Sequence, residues 1–389
     1  MLTKLTHRAI VVFTLISSVM AQGGGYALDF DGANDYVNTT YSGISGNNDR
    51  TVEAWVKTSA TGVNFITEWG VQQINQRFTV TVTGSKLRVE FAGGGLSGST
   101  NVNDGLWHHL AATHSSTSSP STKLYIDGNL EATASFTINT SSSGNVLVGK
   151  SAYWSEREFD GSIDEVRIWS VARTATQIAD NIHVLLDGDE TGLEAYYKMS
   201  NGSGTTITDN STNSNTGTMV NMANSDWITS DAPIGVLTSG YTTDAEALWK
   251  GSGTSASDAS DGLTMVVGTA LTDANFAVFG NNNTEGTSTS DLPSGVEVRS
   301  ARIWYVDESN TVAADVTIDI SDATGYTVTA GTASDYKLLN RAGPAVTLVS
   351  WHQDPVNLVM QSPLAVYHYR MNIWLLVRPQ IVMPICHHM

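Results

Sequence analysis

The sequence predicts an all-β protein, built as an antiparallel β-sandwich followed by a second β-module. Three observations predict this class. Apolar and polar residues alternate over most of the chain, glycine and small polar residues separate the alternating runs, and one short segment alone has a helical period. The chain has 389 residues, 41% of them hydrophobic, so it is long enough for two or three domains with packed cores.

The strand-like runs begin at Tyr26 and continue to about Gly235. In TKLYIDGN, Leu124 and Ile126 point to one face of the sheet, and the Asp-Gly pair at 127–128 supplies the positive φ of a hairpin turn. The other runs alternate in the same way: ALDFDGANDYVNT, RTVEAWVKTS, QRFTVTVTGSKLRVEFAG, GLWHHLAATHSS, NVLVGKS and SIDEVRIWSV. Together these runs predict the strands of an antiparallel sandwich.

One segment, Thr174–Leu186, has the spacing of a helix, because Ile178, Ile182 and Leu185 recur at i, i+4 and i+7. Either of two threonines among its first three residues can cap its N-terminus. The sequence therefore predicts a single short helix in an otherwise β-structured domain.

The stretch GNVLVGKS, at residues 144–151, matches the G-x-x-x-x-G-K-[ST] spacing of a nucleotide phosphate loop. Such a loop is a flexible turn between a strand and a helix, so that free N–H groups point at the anion. Here three variable positions are Val146, Leu147 and Val148, which favour a strand, and the residues after the stretch lack a helical period. We interpret the stretch as a strand and predict no nucleotide ligand.

Charge and targeting signals exclude some partners and indicate export. The net charge of −18 argues against a nucleic-acid partner, because phosphate binding needs clustered Lys and Arg. Residues 1–21 have the pattern of a signal peptide: Lys4 and Arg8 precede an apolar stretch too short to span a bilayer, with cleavage before Gln22. An uncleaved anchor is the alternative. We predict a secreted or cell-surface protein with no membrane span in the mature chain.

Several strings together resemble the laminin-G-like (concanavalin A-like, pentraxin-like) family, in the form found in secreted bacterial surface proteins. The opening strand, second strand, central hairpin and closing strand with helix are similar, in order, to ALDFDGANDYV, TVEAWVK, GLWHHLAAT with KLYIDGN, and FDGSIDEVRIWSVARTATQIADN. An edge segment, GLEAYYKMSNGSGTTITDNSTNSNTG, follows the domain here, whereas it precedes the domain in many relatives. The resemblance covers residues 26–235 and implies a jelly-roll β-sandwich.

Two regions follow the predicted jelly roll. Residues 237–343 again alternate, and they resemble poorly characterised β-modules found behind laminin-G-like domains in exported bacterial proteins. Residues 344–389 contain none of the 35 glycines, and Asp354 is their sole acidic residue. We predict that this atypical tail comes from a shifted reading frame or a truncated gene, is disordered, and leaves the second module incomplete. A C-terminal anchor is the alternative.

Three carboxylates are candidates for a calcium site. Calcium binds about six to eight hard oxygens, and DFDGANDY supplies Asp31 and Asp35 together with the carbonyl groups of a tight loop. The resemblance adds Asp164, because relatives often hold calcium where the opening loop meets the closing strand. In the structural alternative, Asp31 and Asp35 form a turn and Asp164 hydrogen-bonds within the sheet.

Aromatic residues in loops are the candidates for ligand contact. Tyr153 and Trp154 follow Gly149, and aromatic faces stack on the C–H groups of pyranose rings. Trp69, in TEWGVQQ, is a weaker candidate. The alternative is that Tyr153 and Trp154 only cover the edge of the sheet. The tryptophans within regular strands are predicted to be core residues: Trp55, Trp107 and Trp169.

The sequence lacks recognisable patterns for catalysis or for a histidine metal site. Sandwich glucanases of this class carry E-x-D-x-x-E on one strand, whereas here Ile163 occupies the last position of that pattern. The adjacent His108 and His109 face opposite sides of a strand, and His114 lies about 20 Å from His108 along an extended chain. A G-x-S-x-G elbow is absent as well. We therefore predict that the protein is not an enzyme.

Taken together, the sequence predicts an exported, non-enzymatic binding or adhesion module that recognises a polysaccharide or an extracellular protein, with calcium as its predicted cofactor. A structural spacer segment of a larger surface protein is the alternative of a different class, and a divergent glycoside hydrolase is the third. This fold carries many functions and its site lies in variable loops, so the sequence does not name the ligand.

Overall fold

The computed structural model describes residues 25–237, 240–258, 263–285, 287–288, 299–309, 312, 314–318, 338–342, 350–351, 358–359 and 371–375. The predicted signal peptide, residues 1–21, lies outside the described residues, and so does most of the tail at residues 344–389. No helix in the described part of the chain has the length and apolar character needed to cross a membrane.

The first domain consists of strands, one helix and a 3₁₀ turn. The helix α1 is Ala175–Ala179, and the 3₁₀ turn is Asn224–Asp226. The strands are β1 (Tyr26–Asp31), β2 (Tyr36–Thr39), β3 (Arg50–Lys57), β4 (Val63–Gly70), β5 (Arg77–Thr83), β6 (Lys86–Glu90), β7 (Gly95–Asn101), β8 (Trp107–His114), β9 (Thr122–Ile126), β10 (Asn129–Ala134), β11 (Leu147–Val148), β12 (Asp160–Trp169), β13 (Leu193–Tyr197), β14 (Thr206–Ile207), β15 (Gly217–Val220) and β16 (Trp227–Thr229).

These strands form two eight-stranded antiparallel sheets. The first sheet has the order β10-β9-β8-β3-β12-β1-β16, with β13 beside β12. The second sheet has the order β14-β15-β2-β11-β4-β5-β6-β7. Successive strands such as β1 and β2, or β3 and β4, lie in different sheets, as they do in a jelly roll. The predicted class, an all-β antiparallel sandwich with further sheets after it, is confirmed.

The core of the first domain lies between the two sheets and follows the alternation of the sequence. On β3, Val52, Ala54 and Val56 enter this core. The intervening Glu53 and Trp55 point to the outer face of the first sheet, because successive side chains of a strand face opposite sides. Full burial of one aliphatic or aromatic side chain contributes about 1.5–3 kcal/mol, so the repeated inward positions hold the sandwich together.

The helix is shorter than the sequence predicts. It covers Ala175–Ala179, and Thr174 caps it, because the Thr174 hydroxyl accepts from the Gln177 N–H while the Gln177 side chain accepts from the Thr174 N–H. Beyond the helix, the His183 carbonyl accepts from the N–H of Gly235 (2.9 Å). The predicted second half of the helix is therefore wrong, since its backbone bonds to a segment distant in sequence.

The second module has twelve short strands in the described residues and a 3₁₀ turn at Lys250–Ser252. The strands are β17 (Thr243–Leu248), β18 (Ser255–Asp258), β19 (Leu263–Val266), β20 (Phe276–Asn281), β21 (Thr287–Ser288), β22 (Arg299–Ser300), β23 (Ile303–Ser309), β24 (Asp315–Ile318), β25 (Leu338–Ala342), β26 (Ser350–Trp351), β27 (Leu358–Val359) and β28 (Met371–Leu375). They pair antiparallel in the orders β17-β20-β23-β28-β25-β26, β18-β19-β24-β27 and β21-β22. Strands β26, β27 and β28 come from the tail, whose origin and disorder stay predictions.

The second module packs on the outer face of the first sheet. The ring of Trp249 meets that of Trp55 edge to face, with centroids 6.2 Å apart. A carboxylate of the second module, Asp273, lies 2.9 Å from the ammonium groups of Lys57 and Lys250. In the described part of the chain, the second module therefore covers the first sheet and leaves the outer face of the second sheet free of it.

Candidate functional site

The loop between β11 and β12, residues 149–159, lies across the outer face of the second sheet. Its two ends are joined, because the Phe159 N–H donates to the carbonyl of the first loop residue (2.8 Å). Beneath it, Phe65 and Arg77 face outward, whereas the neighbouring Phe78 belongs to the core between the sheets. Three side chains of this loop form what we call the aromatic platform: Tyr153, Trp154 and Arg157.

Glu68 anchors the start of this loop. One carboxylate oxygen accepts from the Ser151 hydroxyl (2.9 Å) and from the Ala152 N–H (2.8 Å). The other oxygen accepts from the Thr79 hydroxyl (3.2 Å) and lies 3.6 Å from a guanidinium nitrogen of Arg77. Burial raises the pKa of Glu68, and the hydrogen bonds and Arg77 oppose that rise. Hydrogen bonds to a charged group contribute about 1.5–3 kcal/mol each, so the loop is held in one position.

Trp154 mainly covers the sheet beneath it. Its half-buried indole stacks on Phe65, with centroids 6.1 Å apart and planes inclined by 27°. The guanidinium carbon of the buried Arg77 lies 4.3 Å from the centroid of the same ring. A cation over an indole face contributes about 0.5–2 kcal/mol. Trp154 therefore covers the sheet, as the structural alternative in the sequence analysis states. A sugar contact at its exposed edge stays a prediction.

Tyr153 presents its ring to solvent. The residue is 41% exposed, and its hydroxyl donates to the Gly70 carbonyl (2.9 Å). The ring also meets Trp154 edge-on, with centroids 6.3 Å apart and an interplanar angle of 75°. These two contacts fix the orientation of the ring. Stacking of a ligand on it therefore requires little additional ordering of the protein, which lowers the entropic cost of binding.

The stretch that matches a phosphate loop lies on a strand. Leu147–Val148 forms β11 between β2 and β4, and Val146 is buried in the core. The Lys150 ammonium lies 3.8 Å from Glu158 and 4.7 Å above the ring of Tyr36. The interpretation of this stretch as a strand is confirmed, and the lysine of the pattern contributes to the surface of the second sheet.

Trp69 does not belong to the platform. The residue is only 2% exposed, stacks on Phe78 at 4.8 Å, and donates its Nε1–H to the Ile44 carbonyl (3.1 Å). A Cβ on Gly43 would lie 2.3 Å from its ring, so the backbone there packs directly on the indole. The prediction of Trp69 as a ligand contact is wrong, because its position on β4 points inward.

The three predicted calcium ligands do not come together. Asp31 pairs with Asp160 across β1 and β12, and Asp164 lies four residues, or about 13 Å, further along β12. Asp164 is fully buried and accepts from the Ser230 hydroxyl, and burial raises its pKa well above the usual range. Asp35 remains beside Asp31, since it accepts from the Asp31 N–H (3.2 Å). The described residues contain no group of three His, Cys, Asp or Glu placed to hold a metal, so the predicted triad is wrong.

The sequence analysis missed a buried charged cluster on the outer face of the first sheet. Glu53 lies 3.3 Å from a ring nitrogen of His109 and 3.3 Å from Nε of Arg173. Beside it, Arg167 pairs with Glu165 at 2.6 Å. Burial opposes ionisation of Glu53, but His109 and Arg173 hold its pKa below the usual value. The sequence signal for this cluster was the presence of charged residues at outward-facing positions of TVEAWVK and DEVRIW. The helix and the segment after it cover this cluster.

The three histidines of the sequence analysis have separate partners. His108 lies 2.9 Å from a carboxylate oxygen of Asp127 and 3.2 Å from one of Asp104. His114 lies 3.0 Å from the hydroxyl of Thr122. All three histidines lie on β8, so the prediction that this stretch is a strand is confirmed.

Two parts of the chain match known family models. Residues 31–179 match the family described as the concanavalin A-like lectin/glucanases superfamily, and residues 239–357 match a domain family of unknown function. The first match confirms the laminin-G-like, concanavalin A-like resemblance of the first domain. No curated protein matches the chain.

Several solved structures are similar to the chain. A putative carbohydrate binding protein from Bacteroides ovatus is 24% identical, with 55% of this chain and 62% of that chain covered and a TM-score of 0.45. A SAP-like pentraxin from Limulus polyphemus is 15% identical over 41% and 83% of the two chains, with a TM-score of 0.35. The CBM40 module of a Ruminococcus gnavus IT-sialidase is 14% identical over 40% and 95%, with a TM-score of 0.34. The chain thus spans 62% of the length of the Bacteroides protein.

Proposed function

We propose that the chain is an exported, non-catalytic binding module that holds a carbohydrate against the aromatic platform. The observation that carries this proposal is the ring of Tyr153, which is 41% exposed on a loop that Glu68 anchors. Exposed aromatic faces stack on the C–H groups of sugars, and loops on a rigid sandwich are where binding residues lie. The match of the first domain to a superfamily of lectins and glucanases supports a carbohydrate as the ligand.

The carboxylates beside the platform support binding without catalysis. Glu68 is buried under the loop, with its oxygens taken by loop and sheet donors. Glu158 is also buried, accepts from the N–H of Arg157 (2.9 Å), and lies beside Lys150. Glycoside hydrolysis needs two carboxyl groups that flank the scissile bond, and these two carboxylates are covered by the protein.

The proposal is tested by removing the exposed ring. We expect Tyr153→Ala to lower the affinity for a bound polysaccharide about tenfold, because an aromatic stacking contact contributes about 0.5–1.5 kcal/mol beyond the buried area. Tyr26, which is 40% exposed but lies on β1 of the first sheet, provides a matched control. Binding is measured first on a glycan array and then by calorimetry with the best polysaccharide, after thermal unfolding has shown that both variants are folded.

Other outcomes identify the alternatives. A folded wild-type protein that binds no glycan on the array contradicts the proposal and favours the spacer function. Capture of an extracellular protein with an unchanged Tyr153→Ala variant favours a protein ligand at another surface. Release of shorter oligosaccharides during the binding assay favours a hydrolase.

A further inference from the structure

The third residue of the platform, Arg157, has a guanidinium that contacts an aromatic ring but no carboxylate in the described part of the chain. Its guanidinium carbon lies 5.1 Å from the centroid of Trp154, and the residue is exposed. Within the described residues its guanidinium makes no hydrogen bond or ion pair. The other arginines whose side chains the structure describes all have a carboxylate or carbonyl partner: Arg50, Arg77, Arg88, Arg167, Arg173 and Arg302.

The backbone of Arg157 is held on both sides, so this charge has a defined position. The Arg157 N–H donates to the buried carboxylate of Glu158 (2.9 Å), and its carbonyl accepts from the Phe65 N–H of β4 (3.3 Å). Neither bond uses the guanidinium. The five N–H donors of this side chain therefore remain available to a ligand at the surface of the second sheet.

The charge at the platform is not balanced by the groups beneath it. Arg77, on the same indole, lies 3.6 Å from both Glu68 and Glu90. Burial lowers the pKa of Arg77, these two carboxylates raise it, and the nearby Arg157 lowers it further. Glu90 also lies 3.7 Å from Arg88, so the two carboxylates balance Arg77 and Arg88. Arg157 adds a positive charge that neither carboxylate pairs with, in a chain whose net charge is −18.

We propose that the platform selects an anionic polysaccharide, whose carboxylate or sulfate group binds the Arg157 guanidinium while a sugar ring stacks on Tyr153. The inference rests on the proposed function and names the ligand class of the same site. Tyr153 and Arg157 both lie beside the indole of Trp154. The Trp154 ring centroid is 6.3 Å from the Tyr153 centroid and 5.1 Å from the guanidinium carbon of Arg157, so one short stretch of glycan contacts both. A guanidinium binds a planar anion through two parallel hydrogen bonds, which fixes orientation as well as charge.

The test compares matched acidic and neutral polysaccharides. Calorimetry measures the binding of the wild-type chain to polygalacturonate and to its methyl ester, and to dextran sulfate and dextran, at physiological ionic strength. We expect an acidic polysaccharide to bind more tightly than its neutral counterpart. A preference within the galacturonate pair identifies a carboxylate as the bound group, and a preference within the dextran pair identifies a sulfate. Because the chain carries a net charge of −18, unspecific attraction of a polyanion does not explain such a preference.

The variants assign the preference to Arg157. We expect Arg157→Gln to weaken binding of the acidic form about 10- to 100-fold, which corresponds to a charged hydrogen bond, and to leave the neutral form unchanged. Arg157→Lys keeps the charge but loses the paired donors, so it retains part of the preference. Arg88→Gln is the control, because Arg88 lies on the same sheet but already pairs with Glu90. Tyr153→Ala weakens the acidic and neutral forms alike.

Two outcomes overturn this inference. Equal binding of acidic and neutral forms, or an equal loss of both in Arg157→Gln, removes the anionic preference and leaves carbohydrate binding in place. Failure of the wild-type chain to bind any of these four polysaccharides overturns the inference as well, and the glycan array then decides whether the proposed function fails with it.

Discussion

At the scale of single residues, orientation decided which aromatic side chains are available to a ligand. Trp69 and Tyr153 both lie near glycines, and the sequence made both candidates for ligand contact, with Trp69 the weaker one. Trp69 occupies an inward position of β4 and is buried, whereas Tyr153 lies outside the strands and is 41% exposed. A β-bulge at residues 65–67 shifts the register of β4, and such a shift reverses the faces of the residues after it.

Calcium binding stays a proposal, and without Asp164 it rests on the loop of Asp31 and Asp35. Burial is the first cause that raises the pKa of Asp35, and repulsion from Asp31, Asp226 and Asp29 adds to it. A cation there relieves this repulsion, with backbone carbonyl oxygens as its further ligands.

We expect calcium at a hundredfold excess over its dissociation constant to raise the free energy of unfolding by about 2.7 kcal/mol. Asp31→Asn removes most of this gain, because it removes one charged oxygen donor from the loop. Denaturant unfolding with calcium and with chelator measures both effects. A stability that is the same in calcium and in chelator contradicts the proposal.

At the scale of elements, the segment after β12 is held by side chains on the outer face of the first sheet. Arg167 donates to the carbonyls of Asn181 and Val184, each at 2.8 Å. Arg173 reaches from the start of the helix to Glu53 on β3. These bonds explain why the helix ends early, since the carbonyls beyond it are satisfied by a sheet residue.

Glu53 is the residue whose loss tests this arrangement. We expect Glu53→Ala to lower the free energy of unfolding by about 3–5 kcal/mol, because it leaves Arg173 buried beside His109 with no carboxylate. Urea unfolding followed by tryptophan fluorescence measures the change. The control is Glu156→Ala, at an exposed position without an ion pair in the described residues, and it changes stability by less than about 0.5 kcal/mol. Similar effects of the two variants are incompatible with a stabilising role for the cluster.

At the scale of the whole molecule, the two modules share a buried interface. The rings of His183 and Trp249 lie 4.9 Å apart, and both contact Trp55 of the first sheet. The backbone of Gly235 packs so closely on β20 that an added Cβ would lie 2.7 Å from Cβ of Val278. Among the described residues, the second module thus covers the outer face of the first sheet and not that of the second sheet, where the proposed platform lies.

Gly235→Ala tests the interface with a single methyl group. We expect it to lower the melting temperature and to make the connection between the modules sensitive to protease, because Val278 has to move away. Limited proteolysis and calorimetry measure these effects. In the second module, Gly268 has open space around its Cβ position, so Gly268→Ala serves as the matched control and leaves both readouts unchanged. Equal behaviour of the two variants argues against a close interface.

Acid is expected to destabilise the molecule through His183 at this interface. Burial lowers the pKa of His183 to about 4, and its Nδ1 donates to the Pro233 carbonyl (2.8 Å). A histidine with a lowered pKa in the folded state favours folding at neutral pH. That contribution is lost as the pH falls below about 6.5, where the unfolded chain takes up a proton.

Between pH 7 and pH 5 this loss amounts to about 2 kcal/mol. His183→Gln keeps a side-chain N–H for the Pro233 carbonyl but has no titrating group. We therefore expect its unfolding free energy to fall by about 2 kcal/mol less than that of the wild type over the same range. Parallel pH profiles for the two proteins would rule out this role for His183.

Alternation and turn residues by themselves determined the all-β class and the strand at Leu147–Val148, and the net charge of −18 argues against a nucleic-acid partner. These properties are local or compositional, so a period of two and a net charge reveal them without coordinates. The candidate loop with Tyr153 was also found from sequence. Only the tertiary structure decided that Trp69 is core, that Asp164 lies apart from Asp31, and that Arg157 has no ion pair among the described residues. Strand register, bulges and the neighbours that cover a face are set by contacts between distant parts of the chain.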